Sequence, residues 1–189
     1  MSACYPGSTY LPHLDFPNTI QFVTFRLFDS MPVSRRHEWE QFFSLEPESS
    51  QKAIQAYLDA GLGDCSLCQP AVAAIVEEEL LRGENERYRL FEWVVMPNHV
   101  HVLFQPTQGT LAQILQSWKG ASARRVNLLL GRSGPFWFRD YFDRYIRGMA
   151  HFEAAVRYIH MNPVKAGLAL SPEAYPWSSA RLGRVHFGG

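Results

Sequence analysis

The sequence predicts an α+β domain, an antiparallel sheet with helices packed mainly on one face. Three observations lead there. Runs dense in β-branched and aromatic residues, at 19–28 and across 88–105, read as strands. Segments with apolar residues at three- and four-residue spacing, at 34–43, 47–58, 70–82, 107–130 and 150–161, read as helices. The order is strand, helices, strand, strand, helix, aromatic segment, helix, with no repeat, low-complexity tract or linker, so the 189 residues form one domain.

Residues 1–18 are rich in Pro, Gly and Tyr and read as an irregular lead-in. Thr19 to Phe28 carries apolar groups on both faces, which suits a central strand covered on both sides. Ser34 can cap a helix running to Phe43, with Trp39, Phe42 and Phe43 as its stripe. Pro47 to Leu58 is the next helical segment, and the glycines at 61 and 63 end it. Pro70 opens a third helix to Arg82; its triplet Glu77, Glu78 and Glu79 is expected to form a solvated face. The stretch 47–82 reads as a helical insertion whose expected contribution is extra packing.

Tyr88 to Val95 is a strand, Pro97-Asn98 a tight turn, and the residues after it a second strand. Thr110 and Gln113 match a capping box for the longest helix, and glycines at 131 and 134 break it. Residues 135–147, PFWFRDYFDRYIR, interleave six aromatics with arginines. In the last helix Phe152, Ala155, Val156 and Ile159 form the stripe; Pro163 is expected to stop it, with Gly167 in the turn beyond. Tyr175-Pro176-Trp177 reads as a loop folding back on the body.

The formal charge is zero, but it is unevenly stored. Residues 1–105 hold 7 Lys/Arg against 14 Asp/Glu, and residues 106–189 hold 11 against 4. A basic second half can face a polyanion, or pair with the acidic first half. Cys4, Cys65 and Cys68 form no disulfide framework, and Cys65-Ser-Leu-Cys68 lacks a second pair at zinc-site spacing. Reduced thiols, no apolar run of membrane-span length and no signal-peptide pattern at the start point to a cytoplasmic protein.

His99 and His101 are the residues that need a reason. Alternation along a strand puts them on one face with Leu103, while Val100, Val102 and Phe104 occupy the other. Their backbone positions are then roughly 7 Å apart, close enough to converge on one ion. A histidine-triad nucleotide hydrolase would need a third His where Leu103 stands. A two-His phosphoesterase would need a second His-x-Ser/Thr copy, and a closed zinc site would need further Cys or His ligands; neither is visible.

The segments VVMPNHVHVLF, SWKGASARRVN, FWFRDYFDRYIR, YIHMNPVKAGL and YPWSSA, in that order, resemble the REP-associated tyrosine transposases, relatives of the single-tyrosine insertion-sequence transposases in the HUH nuclease superfamily. The resemblance spans roughly residues 16–180 and implies a ferredoxin-like domain. HUH denotes His, a bulky hydrophobic residue, His, here His99-Val100-His101. It implies a nucleophilic tyrosine on a helix near the C-terminus. Tyr141, Tyr145 and Tyr158 compete, and the family's Tyr-Ile-x-x-Asn-Pro pattern selects Tyr158. Asn162, four residues on and so on the same helix face, would be the third ligand beside His99 and His101, although a residue before proline is pushed from the helical region.

By the same resemblance the ion is Mg²⁺ or Mn²⁺ and the substrate single-stranded or palindromic hairpin DNA, cleaved through a 5′-phosphotyrosine intermediate. The alternative is a domesticated hairpin-binding protein that no longer cuts. Expected DNA contacts are Trp137, Arg139, Arg144 and Arg147 in the aromatic segment, Lys119, Arg124 and Arg125 on the long helix, and Lys165. The expected setting is the cytoplasm, nucleoid-associated, as monomer or homodimer, with no membrane partner.

Overall fold

A computed structural model describes residues 18–30 and 47–184. The helix expected over 34–43 and residues 1–17 of the lead-in lie outside these. The described elements are β1 (Gln21–Arg26), α1 (Pro47–Asp59), α2 (Pro70–Leu81), β2 (Tyr88–Val95), β3 (His99–Pro106), α3 (Leu111–Leu129), β4 (Phe142–Tyr145) and α4 (Met149–Lys165), with short 3₁₀ turns at Ser66–Cys68, Pro172–Ala174 and Ser179–Leu182. Among the described residues the four strands form one sheet in the order β2-β3-β1-β4. β1 runs antiparallel to both β3 and β4, and β2 antiparallel to β3. The fold is α+β with an antiparallel sheet.

Alternation sorts the sheet into two faces as the strand sequences require. Val23, Phe25 and Leu27 of β1 and its extension, with Val100, Val102 and Phe104 of β3, join residues of α2 and α3 in the larger core. Leu103 of β3 and Val94 of β2 join Phe152, Ala155 and Ile159 of α4 in a second cluster. Among the described residues, α2 and α3 therefore pack on one face and α4 on the other. Ile159 is fully buried, and burial of such a side chain contributes about 1.5–3 kcal/mol to holding α4 against the sheet.

A bulge sharpens this arrangement. Leu90 pairs with Phe104 and Glu92 with Leu103, so Phe91 is the extra residue. Phe91 packs edge-on against Phe152 of α4 (5.3 Å), and the buried Glu92 carboxylate accepts from His160 Nε2 of the same helix (2.8 Å) and from Ser179 Oγ. Two consecutive β2 side chains thereby grip α4.

Several expectations are corrected. Glu77 and Glu79 are buried, and only Glu78 of the triplet is exposed. That helix face meets protein on two sides: Glu77 accepts from Trp93 Nε1 (2.8 Å) and pairs with Arg181 (2.8 Å), while Glu79 takes Arg125 of α3 (2.7 Å). Pro163 does not stop the last helix: α4 continues to Lys165, and Gly167, at φ 71°, turns the chain just beyond it. A proline removes a bond only toward the preceding turn. The following turn closes normally, with Ala166 N on the Asn162 carbonyl (3.0 Å) and Leu168 N on the Pro163 carbonyl (2.8 Å). The aromatic segment also contributes a strand, β4, on the sheet edge.

Candidate active site

β3 delivers His99 and His101, and the hairpin before it fixes their placement. Met96 N donates to the His99 carbonyl (2.8 Å), so Pro97 and Asn98 make the turn. Asn98 is fully buried. Its Nδ2 donates to the Leu62 carbonyl (2.9 Å), which leaves Oδ1 facing His99 Nδ1 at 2.7 Å. That nitrogen therefore carries the proton, and His99 Nε2 keeps its lone pair. On β1, Thr24 sits opposite His101 in register, with Oγ1 2.7 Å from His101 Nδ1. A hydroxyl can accept from Nδ1–H, which frees the second Nε2 in the same way.

The two Nε2 atoms lie 3.0 Å apart. Nitrogens this close need a proton or a cation between them. With both Nδ1 atoms carrying hydrogen, an additional proton is disfavoured: both rings are fully buried, and burial lowers His99 to about 3 and His101 well below the ordinary value, the neighbouring imidazole adding to the latter. Neutral imidazoles with their outer nitrogens anchored to oxygen are the ligand-competent form.

α4 brings Tyr158 and Asn162 to the same face, one turn apart. The Tyr158 ring stands edge-on to His101 (5.2 Å) and to Phe22 (5.8 Å), while Phe22 stacks on His101 (5.5 Å). Asn162 is buried, with Nδ2 3.4 Å from His101 Nε2. Its Oδ1 is buried without a hydrogen-bond partner. Rotation of the amide would exchange Nδ2 for Oδ1 and turn that oxygen toward the His pair. Burial, and secondarily the Asp59 carboxylate, push the Tyr158 phenol well above its ordinary range; the Asn162 amide acts the other way. His101, Tyr158 and Asn162 thus meet within one chain.

Asp59 is the residue the sequence reading did not find. It ends α1, and its Oδ1 lies 3.6 Å from His99 Nε2 and 3.5 Å from Asn162 Nδ2. One ligand atom each from Asp59, His99 and His101 lie within 4.8 Å of one another. No periodicity marked it, since it follows the helical stripe and precedes a glycine turn.

The expected DNA contacts separate. Lys165 Nζ lies 5.9 Å from the Tyr158 ring centre. Arg144 is exposed on the edge strand and pairs in register with Phe22, so it points to the Tyr158 side of the sheet. Exposed Arg147 lies over the Tyr145 ring (5.1 Å). Arg124 and Arg125 stand on α3, in the layer across the sheet from the His pair, and Arg125 is held by Glu78 (2.5 Å) and Glu79. Lys119, also on α3, donates to the carbonyl of exposed Arg139 (2.6 Å); burial lowers it to about 8 despite nearby Asp140. Trp137 is a core residue, 6% exposed, packed on Phe25 (4.8 Å) and donating to Ser122 Oγ (2.9 Å). A base has no access to its ring.

A family model described as IS200-like transposase matches residues 74–162, which include His99, His101, Tyr158 and Asn162. Over that segment, just under half of its length, the chain is similar to the IS200-like transposases. The matched segment leaves out β1 and Asp59. Among solved structures, the chain resembles a REP-associated tyrosine transposase bound to a REP hairpin, with a TM-score of 0.54 and 16% identity, over 96% of this chain and 84% of that one. At that identity the likeness is one of fold. A candidate transposase from Deinococcus radiodurans R1 also matches, with a TM-score of 0.38 and 16% identity, over 82% of this chain and 93% of that one. No curated protein matches. No helix among the described residues is long and apolar enough to cross a membrane.

Proposed function

We propose that this protein is a transposase of the IS200-like kind, a metal-dependent nuclease and strand transferase that cuts single-stranded or hairpin DNA with Tyr158. The observation that carries the reading is the meeting of Tyr158 with His101 at 5.2 Å in one chain, with Asn162 beside both. The matched family supports transposase chemistry, and the relative bound to a REP hairpin supports palindromic DNA as the substrate class.

The donor set fits a divalent ion: two neutral Nε2 atoms 3.0 Å apart and a buried, unpartnered Asn162 Oδ1. His99, His101 and Asn162 would hold it, and Mg²⁺ or Mn²⁺ suits a site with oxygen donors. When bound, such an ion polarises a phosphate and offsets the Asp59 charge beside Tyr158.

This chain's own residues do the remainder. α4 places Tyr158 beside the His pair, and Phe22 and His101 pack its ring edge-on, which fixes where the phenol stands. The Tyr158 oxygen forms a bond to phosphorus as the bond from phosphorus to the 3′ oxygen breaks. The phenol gives up its proton and the 3′ oxygen leaves as a hydroxyl. The 5′-phosphotyrosine so formed conserves the phosphodiester, and a 3′-hydroxyl can reverse the step and join strands. Lys165, Arg144 and Arg147, on or near the Tyr158 side, would take the DNA backbone. The meeting of Tyr158 with His101 within one chain supports attack in cis.

The test is a labelled hairpin oligonucleotide panel incubated with the protein and Mn²⁺. A covalent adduct is expected with the native chain and none with Tyr158→Phe. Cleavage retained by Tyr158→Phe would assign the attack to water instead. DNA binding without any adduct across the panel would favour a protein that binds hairpins without cutting.

A further inference from the structure

The C-terminal end of α1 carries a carboxylate that the matched family segment, residues 74–162, does not contain. Its position is held by the fold. Leu58 beside it is 1% exposed, and Gly61, at φ 66°, turns the chain out of the helix. The Leu62 carbonyl is held by Asn98, the side chain that orients His99. Gly63, at φ 92°, lies so close to residue 29 that a Cβ there would come within 2.6 Å of the Asp29 carbonyl oxygen. Asp64 N then donates to Asp29 Oδ2 (2.9 Å). The loop that presents Asp59 and the hairpin that presents the His pair are thus joined through one amide.

We infer that Asp59 is a further metal ligand of this chain, so that the inserted segment contributes a donor to the site formed by His99, His101 and Asn162. The inference rests on the reading of that site as a metal centre. The geometry is its warrant: Oδ1 stands 3.6 Å from His99 Nε2, and one ligand atom each from Asp59, His99 and His101 fits within 4.8 Å. The chemistry agrees. Two neutral imidazoles alone suit borderline ions such as Zn²⁺, whereas an added carboxylate supplies negative charge and a hard oxygen, which moves preference toward Mn²⁺ and Mg²⁺. Bound metal would also tie the end of α1 to β3 and α4, coupling the insertion to the active site.

Calorimetric titration of Mn²⁺ into the full chain, DNA-free, tests this without relying on catalysis. Asp59→Asn should weaken Mn²⁺ binding by about tenfold or more. Its metal-free unfolding midpoint should match the native chain while the Mn²⁺-induced rise in midpoint shrinks. His101→Ala should abolish binding. If Asp59→Asn binds Mn²⁺ like the native chain while His101→Ala does not, Asp59 is no ligand and the metal site stands. A lowered metal-free midpoint with the Mn²⁺-induced rise intact likewise overturns the inference and makes Asp59 structural. If the native chain binds no Mn²⁺, or His101→Ala binds it undiminished, the reading of the site itself falls.

Discussion

Thr24→Val asks whether the tautomer of His101 is set from β1. Thr24 is 3% exposed, and its Oγ1 is 2.7 Å from His101 Nδ1. Valine keeps the shape and removes the hydroxyl. The ring then has two poor choices. Keeping Nδ1–H leaves a buried donor unpaired, at about 1–3 kcal/mol. Moving the proton to Nε2 satisfies it against His99 Nε2, 3.0 Å away, but consumes the lone pair a metal needs. Loss of such an orienting partner lowers metal affinity about 10–100-fold, equivalent to roughly 1.4–2.7 kcal/mol. Mn²⁺ calorimetry on Thr24→Val, with Thr24→Ser as the control that restores the hydroxyl, reads the effect. A folded Thr24→Val protein with native affinity would refute the role given to Thr24.

Two further outcomes follow from the burial of ionisable groups. His99 titrates near 3 and His101 well below its ordinary 6.5, so on acidification the unfolded chain takes up protons first. Their contribution is therefore complete above about pH 6.5 and is lost as pH falls from there toward 3, with a combined slope of at most about 2.7 kcal/mol per pH unit. Urea midpoints from pH 7 to pH 4 should fall less steeply for a His99→Asn/His101→Asn variant; parallel curves would count against neutral burial. Glu77→Ala should cost about 1–3 kcal/mol, because it leaves the buried Trp93 Nε1 donor unpaired. A change under 1 kcal/mol in its urea unfolding would show that the pairing is not needed.

The His face was legible in the sequence because strand alternation has a fixed period: once Val100, Val102 and Phe104 are assigned to the core, His99 and His101 must share the other side. Tyr158 and Asn162 were linked through the family pattern and the one-turn spacing of a helix, and α4 does present them together. What escaped lay where local pattern and tertiary context part. β4 reads Phe142-Asp143-Arg144-Tyr145, without clean alternation, and only pairing with β1 makes it a strand. Glu77 and Glu79 look like solvent-facing charge until Arg181 and Arg125 arrive from far along the chain. Trp137 sits among arginines in sequence but faces Phe25 in space. Asp59 reaches the His pair through a loop whose course is set by Asn98 and Gly63, and no spacing within residues 47–64 records that destination.

Which atom becomes linked to DNA decides whether Tyr158 is the nucleophile. Peptide mapping by mass spectrometry of the protein after reaction with a hairpin oligonucleotide and Mn²⁺ locates it. The predicted result is a 5′-linked nucleotide on the peptide containing Tyr158. A nucleotide on Tyr141 or Tyr145, or cleaved DNA bearing a free 5′-phosphate with no modified peptide, would contradict it.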